Sequence, residues 1–249
     1  CKTVIGIEEN KPEAIAAVEK ALAELPFSGI TVLPLKKRYP QGGEKQLIDA
    51  VMRRQVKSGG LPISVGAVVQ NVATALAVYE NKPLITNTLT VTGDCLPIEK
   101  QHNYLFRIGT PLSFIAEYAG GVPESAAKII SGGPMMGKAI SNLDATTVKG
   151  SSSILYLSAE ATTRKSAGAC IRCGRCADAC PMGLEPFLLK RLGAAGDVEG
   201  LEKNAVQDCI ECGCCLYSCP ANIPLLDYIR QYKGQVMGIM RARAAAAKK

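Results

Sequence analysis

The sequence predicts an α/β segment, then an α+β segment, then a helical, cysteine-rich one. Three observations predict this. Strand and helix patterns alternate over residues 3–80. Thr, Ile, Leu and Val crowd an extended run after Lys82-Pro83. Nine of the eleven cysteines fall between Cys170 and Cys219, amid helical periodicity.

Thr3–Ile7 reads as a strand. Asn10-Lys-Pro-Glu13 reads as a helix start, with Asn10 as N-cap, Pro12 in the first turn and Glu13 reaching back. Ile15, Val18, Leu22 and Leu25 follow at spacings of three and four, which makes one helical face apolar. Pro26 and Gly29 end the helix, and Ile30–Leu33 is the next strand. Such a βαβ unit favours a parallel sheet. Tyr39–Gly43 and Ser58–Pro62 are loops around a helix at Glu44–Arg54. Val65–Val69 is expected as a short buried strand and Asn71–Glu80 as a helix.

From Leu84 the pattern changes. Leu84–Thr92 suits an extended strand, Gly93-Asp94 a turn, Tyr104–Ile108 a second strand, Pro111–Ala119 a short helix and Lys128–Ser131 a third strand. Gly132–Gly137 is a loop whose Met135-Met136 pair is expected in the core rather than on a contact surface. This is the composition of a small α+β sheet. Ala159–Ser166 reads as a polar connector, Phe187–Leu192 and Val198–Val206 as helices, and Met240–Lys249 as a basic tail that frays or is disordered. The expected divisions are residues 1–81, 82–150 and 151–249.

Composition narrows the function. Apolar residues form 47% of 249, enough for real cores. No run approaches the roughly 18–20 uninterrupted apolar residues of a membrane span, and no signal peptide is visible. A chain that opens at Cys1, with a strand almost at once, is expected to be a fragment whose upstream part, and any targeting information in it, is missing. Lys and Arg exceed Asp and Glu by 29 to 22, a formal +7. That charge suits an acidic partner or surface, but no aromatic-interleaved basic stripe is present, so a nucleic-acid partner is not expected. Clustered cysteines in a large chain point to metal in a reducing compartment, not to a secreted disulfide scaffold.

Cys170-Ile-Arg-Cys173-Gly-Arg-Cys176-Ala-Asp-Ala-Cys180-Pro181 spells C-x2-C-x2-C-x3-C-P, and Cys209-Ile-Glu-Cys212-Gly-Cys-Cys215-Leu-Tyr-Ser-Cys219-Pro220 spells it again. Two-residue gaps let a tight loop deliver three sulfurs to three corners of a cuboidal cluster. The fourth cysteine departs towards the other cluster, as in two-cluster ferredoxins. One [4Fe–4S] set is therefore Cys170, Cys173, Cys176 and Cys219; the other is Cys209, Cys212, Cys215 and Cys180. Zinc ribbons use paired C-x2-C motifs across a longer gap, and two complete runs closing in Cys-Pro do not fit them. The register selects Cys215 over Cys214, and Cys1, Cys95 and Cys214 are read as free thiols. The 28 residues from Pro181 to Asp208 exceed what a minimal ferredoxin needs and favour a helical one.

Further segments carry a resemblance. Gly6–Ile15, Tyr39–Leu47, Ser58-Gly-Gly-Leu-Pro62, Val69-Gln-Asn-Val72, Gly132-Gly-Pro-Met-Met-Gly137 and the double cysteine run together resemble the C subunit of the Rnf complex, over about residues 3–235. The resemblance implies a partial α/β domain similar to the flavin-binding subunit of complex I, a β-grasp module and a helical two-cluster ferredoxin domain. It implies a peripheral subunit on the cytoplasmic face of the bacterial plasma membrane. Its partners would be the other subunits of a membrane electron-transport complex, a ferredoxin-like donor and NAD(H). Two [4Fe–4S] clusters and, in the intact protein, FMN would be its cofactors, and the complex would couple ferredoxin:NAD oxidoreduction to sodium or proton translocation. The family's glycine-rich FMN segment would precede Cys1. The β-grasp module shows no ionisable cluster and is expected to be a spacer.

Candidate flavin and nicotinamide residues follow from the same resemblance. Glu8 and Glu9 follow a strand end, where ligands gather in α/β sheets; they serve equally as solvated carboxylates before a helix. Gln70, Asn71 and Thr74 open a helix that meets a flavin or phosphate, and Asn71 is equally a plain N-cap. Two rivals keep part of this architecture: a flavin and iron–sulfur cobalamin reductase of the microcompartment type, and a non-enzymatic relay that docks a ferredoxin. Residues 1–249 alone are expected to bind clusters yet to reduce no dye with NADH. NADH-driven dye reduction by this chain without added upstream sequence contradicts that expectation.

Overall fold

The computed structural model describes residues 2–26 and 29–247. Cys1, read above as a free thiol, and the last two residues of the basic tail lie outside them. The chain divides into two compact units, residues 1–69 and 70–249.

In the first unit, strands β1 (Thr3–Glu8) and β2 (Ile30–Leu35) pair in parallel, from Thr3↔Ile30 to Glu8↔Leu35. Helix α1 (Pro12–Ala23) connects them, so the βαβ unit is present. Its cap differs from expectation. Proline at the first helical position sets the start, so Lys11, not Asn10, is the cap residue and makes no side-chain cap bond. Lys11 Nζ instead donates to Glu8 Oε2 at 2.9 Å. Ile15, Val18 and Leu22 form a half-buried stripe, and Leu25 is exposed beyond the helix. Helix α2 (Glu44–Met52) buries Ile48. The strand expected at 65–69 does not form. Pro62 opens a 3-10 turn over Pro62–Val65, and Gly66, with φ of 71°, ends it in the left-handed region.

The second unit begins with α3 (Val72–Tyr79), capped by Asn71. A five-stranded sheet follows, from β3 (Thr86–Thr92), β4 (His102–Arg107), β5 (Lys128–Ser131), β6 (Lys138–Ile140) and β7 (Ser153–Leu157). Their order is β4-β3-β7-β5-β6. β3 and β7 are parallel neighbours, and the remaining pairs are antiparallel. This is the β-grasp arrangement. Helix α4 (Leu112–Tyr118) lays Leu112, Ile115 and Ala116 against Leu89, Val91, Ile154 and Tyr156. The division expected at residue 150 is one strand short, because β7 lies inside the sheet. Its polar lead-in, Ser151–Ser153, hides a run of four buried residues. Asn87 Nδ2 fastens that lead-in by donating to the carbonyls of Lys149 and Ser151, each at 3.1 Å. The connector opens as a short helix, α5 (Ala159–Thr162), capped by Ser158, whose N–H and hydroxyl both donate to Asp94.

The rest is helical: α6 (Arg175–Asp178), α7 (Pro186–Ala194), α8 (Val198–Lys203), α9 (Cys214–Tyr217) and α10 (Leu225–Ala246). The core joins Leu189 of α7, Leu201 of α8 and Leu225, Ile229, Tyr232 and Val236 of α10. The tail expected to fray continues α10 as far as Ala246, and Arg243 Nη1 holds it to Glu202 at 2.7 Å. Close approach of α7 to α10 depends on Gly193, where a Cβ would run into the Tyr232 ring. Gly193→Ala should therefore push the helices apart, at about 1–3 kcal/mol for overpacking. The measurement is the thermal midpoint of the anaerobically prepared chain, which should fall.

Candidate functional site

The two cysteine runs fold as two copies of one local structure. The offset from Cys170 to Cys209 is 39 residues, and the backbone repeats at that interval. Arg172 and Glu211 both take positive φ, 57° and 58°. Gly174 and Gly213 follow at 77° and 84°, and Gly183 and Asn222 at 65° and 52°. α6 and α9 each begin one residue after those paired loop glycines, and α7 and α10 begin at 186 and 225. Left-handed residues at these points wind the loop tightly enough to turn successive cysteines inward.

Four sulfurs gather around one cavity, and a fifth lines a second. Cys180 shares one with Cys209, Cys212 and Cys215, walled by Leu184, Leu189 and Ile229. Cys170 lines the other, with Phe187, Lys190, Ile223 and Tyr228. Cys219 lies near enough to Cys176 that ionising one disfavours ionising the other. Cys170 and Cys173 are exposed, whereas Cys212 and Cys215 are buried.

Burial governs the thiols. It pushes Cys215 up to about 12, with Cys209, Cys180 and Cys212 adding to the effect. It also raises Cys176 and Cys209, the latter against a hydrogen bond from the Glu211 N–H at 3.4 Å. Cys214, half-buried at the first position of α9, is pushed up to about 11 by burial and a hydrogen bond with Cys212. Thiols held this way are poor nucleophiles; positive metal charge is what makes them thiolates. Among the described residues no three His, Cys, Asp or Glu side chains converge closely enough to chelate one ion. Cysteines spread around a cavity suit a polynuclear cluster, each of whose irons takes one sulfur, better than a single tetrahedral zinc. The all-sulfur donor set fits a [4Fe–4S] cluster.

One loop is clamped. Glu211 accepts from Arg230 Nε and Lys233 Nζ, both at 3.0 Å, and Lys233 Nζ also donates to the Cys209 carbonyl at 2.7 Å. Burial alone would raise the Glu211 carboxyl, but Lys233 and then Arg230 overcome it and hold it below the usual carboxylate range. Met135, from the loop between β5 and β6, covers the same cysteine loop: a Cβ on Gly213 would lie 3.4 Å from its carbonyl oxygen. Met135 is thus a half-buried contact residue, and Met136 is 47% exposed, which corrects the expected core pair. The sheet module, expected as a spacer, thus packs on the second cysteine loop. Sequence reasoning missed Glu211, Arg230, Lys233 and Lys190; at the 39-residue offset Glu211, Lys233 and Lys190 stand against Arg172, Ala194 and Ile229, a contrast that would have flagged those three.

The flavin-side candidates are placed differently. Glu8 ends β1 in the first unit and Glu9 follows in the turn, with Glu8 paired to Lys11. Gln70, Asn71 and Thr74 open the second unit, and Asn71 Oδ1 accepts from the Ala73 N–H at 2.9 Å, capping its own helix. Among the described residues of the first unit no buried side-chain polar atom lacks a partner. Glu8 and Asn71 are thus engaged, one with Lys11 and the other with its own helix. Cys95 is a free, half-buried thiol. No helix among the described residues is long and apolar enough to cross a membrane.

Fold and site define, in chain order, an α/β unit, a β-grasp sheet and a helical, ferredoxin-type two-cluster domain. Comparison with known proteins agrees. Residues 1–80 match the Nuo51 FMN-binding domain family, and residues 162–233 match the 4Fe-4S dicluster domain family. The chain is 47% identical over 241 residues to the C subunit of the proton-translocating ferredoxin:NAD(+) oxidoreductase complex of Clostridium ljungdahlii, a match covering 94% of this chain and 51% of that protein. It is 42% identical over 254 residues to the C subunits of the ion-translocating oxidoreductase complexes of Erwinia tasmaniensis and Yersinia enterocolitica, covering 99% of this chain and 31% and 36% of theirs. The chain is a homologue of these C subunits over nearly all its length, and it spans about half or less of theirs.

The Glu211 clamp generates a prediction. Glu211→Gln should loosen the loop by about 1 kcal/mol, a discounted figure for a partly exposed ion pair. At pH 7 this should read as roughly fivefold faster anaerobic release of iron to a chelator. Because the folded carboxyl titrates below its unfolded value of about 4.3, its contribution is complete above that pH and fades as pH falls through the folded value. The difference between the two chains should close in that acidic window.

Proposed function

We propose that this chain is the electron-relay part of a C subunit in an ion-translocating ferredoxin:NAD oxidoreductase complex. The observation that carries the reading is the cavity shared by Cys180 with Cys209, Cys212 and Cys215. One cluster is held by those four, and the other by Cys170, Cys173, Cys176 and Cys219. When bound, a [4Fe–4S] cluster takes up and releases one electron at a time. The chain's own residues do the rest. Apolar walls at Leu184, Leu189 and Ile229 make the cavity of Cys180, Cys209, Cys212 and Cys215 the more closed of the two. The left-handed loop residues fix the cysteines in place, so that little reorganisation accompanies a change of charge. Buried thiols with raised pKa values remain committed to metal rather than to chemistry on a substrate.

The relatives' names supply the setting: other subunits of an ion-translocating complex as neighbours, and ferredoxin and NAD(+) as the ends of the electron path. A peripheral position on the cytoplasmic face of the plasma membrane fits a chain without an apolar membrane-length helix among its described residues. FMN belongs to this reading through the family matched by residues 1–80. Glu8, Glu9, Gln70, Asn71 and Thr74 are its candidate flavin and nicotinamide neighbours, with Asn71 contributing mainly as a helix cap. The division into flavin-side, β-grasp and cluster segments belongs to the same reading, with the second boundary moved past β7.

Paired substitutions test the ligand sets. Anaerobically prepared chain should hold about eight irons and eight sulfides, the content of two four-iron clusters. Cys180→Ser with Cys212→Ser falls within one proposed set and should leave about four irons. Cys180→Ser with Cys173→Ser falls across both sets and should strip more. The reverse order refutes the interlocked assignment, and a folded chain with stoichiometric zinc and no iron refutes the relay itself.

A further inference from the structure

The 39-residue repeat pairs four wall side chains of one cavity with four of the other. Leu184, Leu189, Leu226 and Ile229 around the closed cavity correspond to Ile223, Tyr228, Phe187 and Lys190 around the open one, and all eight line their respective cavities. Three of these exchanges keep the wall apolar or aromatic. The fourth replaces Ile229, 1% exposed, with a lysine. Lys190 is half-buried, and its Nζ stands 5.3 Å from the centroid of the Tyr228 ring. Among the described residues no carboxylate pairs with it. The cations near the closed cavity, Arg230 and Lys233, by contrast share the Glu211 carboxylate.

We propose that Lys190 sets the reduction potential of the cluster beside Cys170 above that of its partner, so that an electron shared between the two rests on the open side. The inference builds on the proposed ligand sets. Reduction adds a further negative charge to a cluster already anionic through its four thiolates. A cation in the wall stabilises the reduced form more than the oxidised one, and so does solvent access. Both act on the Cys170 side, where Cys170 and Cys173 are exposed. On the other side Cys212 and Cys215 are buried, and Glu211 offsets the nearby positive charge. Tyr228 holds the ammonium by a cation–π contact, which keeps it at the wall without neutralising it.

The test is an EPR-monitored anaerobic titration of the cluster-loaded chain with dithionite and mediators, alongside iron analysis. The unaltered chain should show two one-electron waves. Lys190→Ile, which copies Ile229, should move the higher wave to more negative potential and leave the lower wave in place, with iron content unchanged. Lys190→Arg should restore the higher wave. Lys190→Gln keeps a polar stem and should also shift the wave, which provides a reading if the isoleucine variant loses iron through misfolding. The proposal is overturned if both waves stay put in the iron-replete variants, or if the wave that moves is the lower one. Full iron with unmoved waves would leave the ligand sets standing, whereas absence of iron from the unaltered chain would remove them too.

Discussion

Cys180 leaves its own run to share a cavity with three cysteines lying about thirty residues further along, and this exchange organises the helical domain. In the proposed ligand sets each run finishes the other's site, and α7 and α10, which follow Cys180 and Cys219, pack against one another. The Leu189, Ile229 and Tyr232 contacts are the packing expression of that pairing. Closing a loop of this length costs only slightly more than closing a shorter one, so the long helical insertion after Pro181 adds core at small entropic expense.

The same constraint sets the electrostatics. Gathering thiols in an apolar cavity makes each harder to ionise, which is why Cys215 is pushed up to about 12. The loops compound the cost, because Arg172, Glu211 and Asn222 take left-handed backbone without being glycine. Residues in such conformations cost of order 1 kcal/mol each and persist where the surroundings over-determine them. Glu211 is over-determined by Arg230 and Lys233. Metal binding and folding of this domain are accordingly coupled processes.

Spacing made the cysteine registers legible, because C-x2-C-x2-C-x3-C-P encodes a loop and a departing helix in adjacent residues. The βαβ unit and the strand at Lys128–Ser131 were legible for the same reason: period and turn residues are local signals. What escaped was tertiary. β7 was obscured by its serine lead-in, and only its neighbours β3 and β5 show it to be central. Asn10 lost the cap to Lys11 because Pro12 fixed the helix start. The apolar run after Pro62 suggested a strand, but Gly66 turned it. Lys190 and Glu211 carry no motif at all; their meaning comes from which cavity each faces and from the counterpart each has in the repeat.

The inequality of the two cavities traces to the sheet. Met135 leaves the turn between β5 and β6 and seats beside Gly213, so the β-grasp module covers the second cysteine loop. At the matching Gly174 a Cβ would meet nothing within 4 Å. A duplicated helical unit is symmetric in its backbone, and packing one face against a third element breaks the symmetry by excluding water from one site alone. Burial of Cys212 and Cys215 and exposure of Cys170 and Cys173 then follow without any difference in the ligands themselves. The open site is left as the one with exposed cysteines, and the covered site as the one enclosed by the sheet module and the helices.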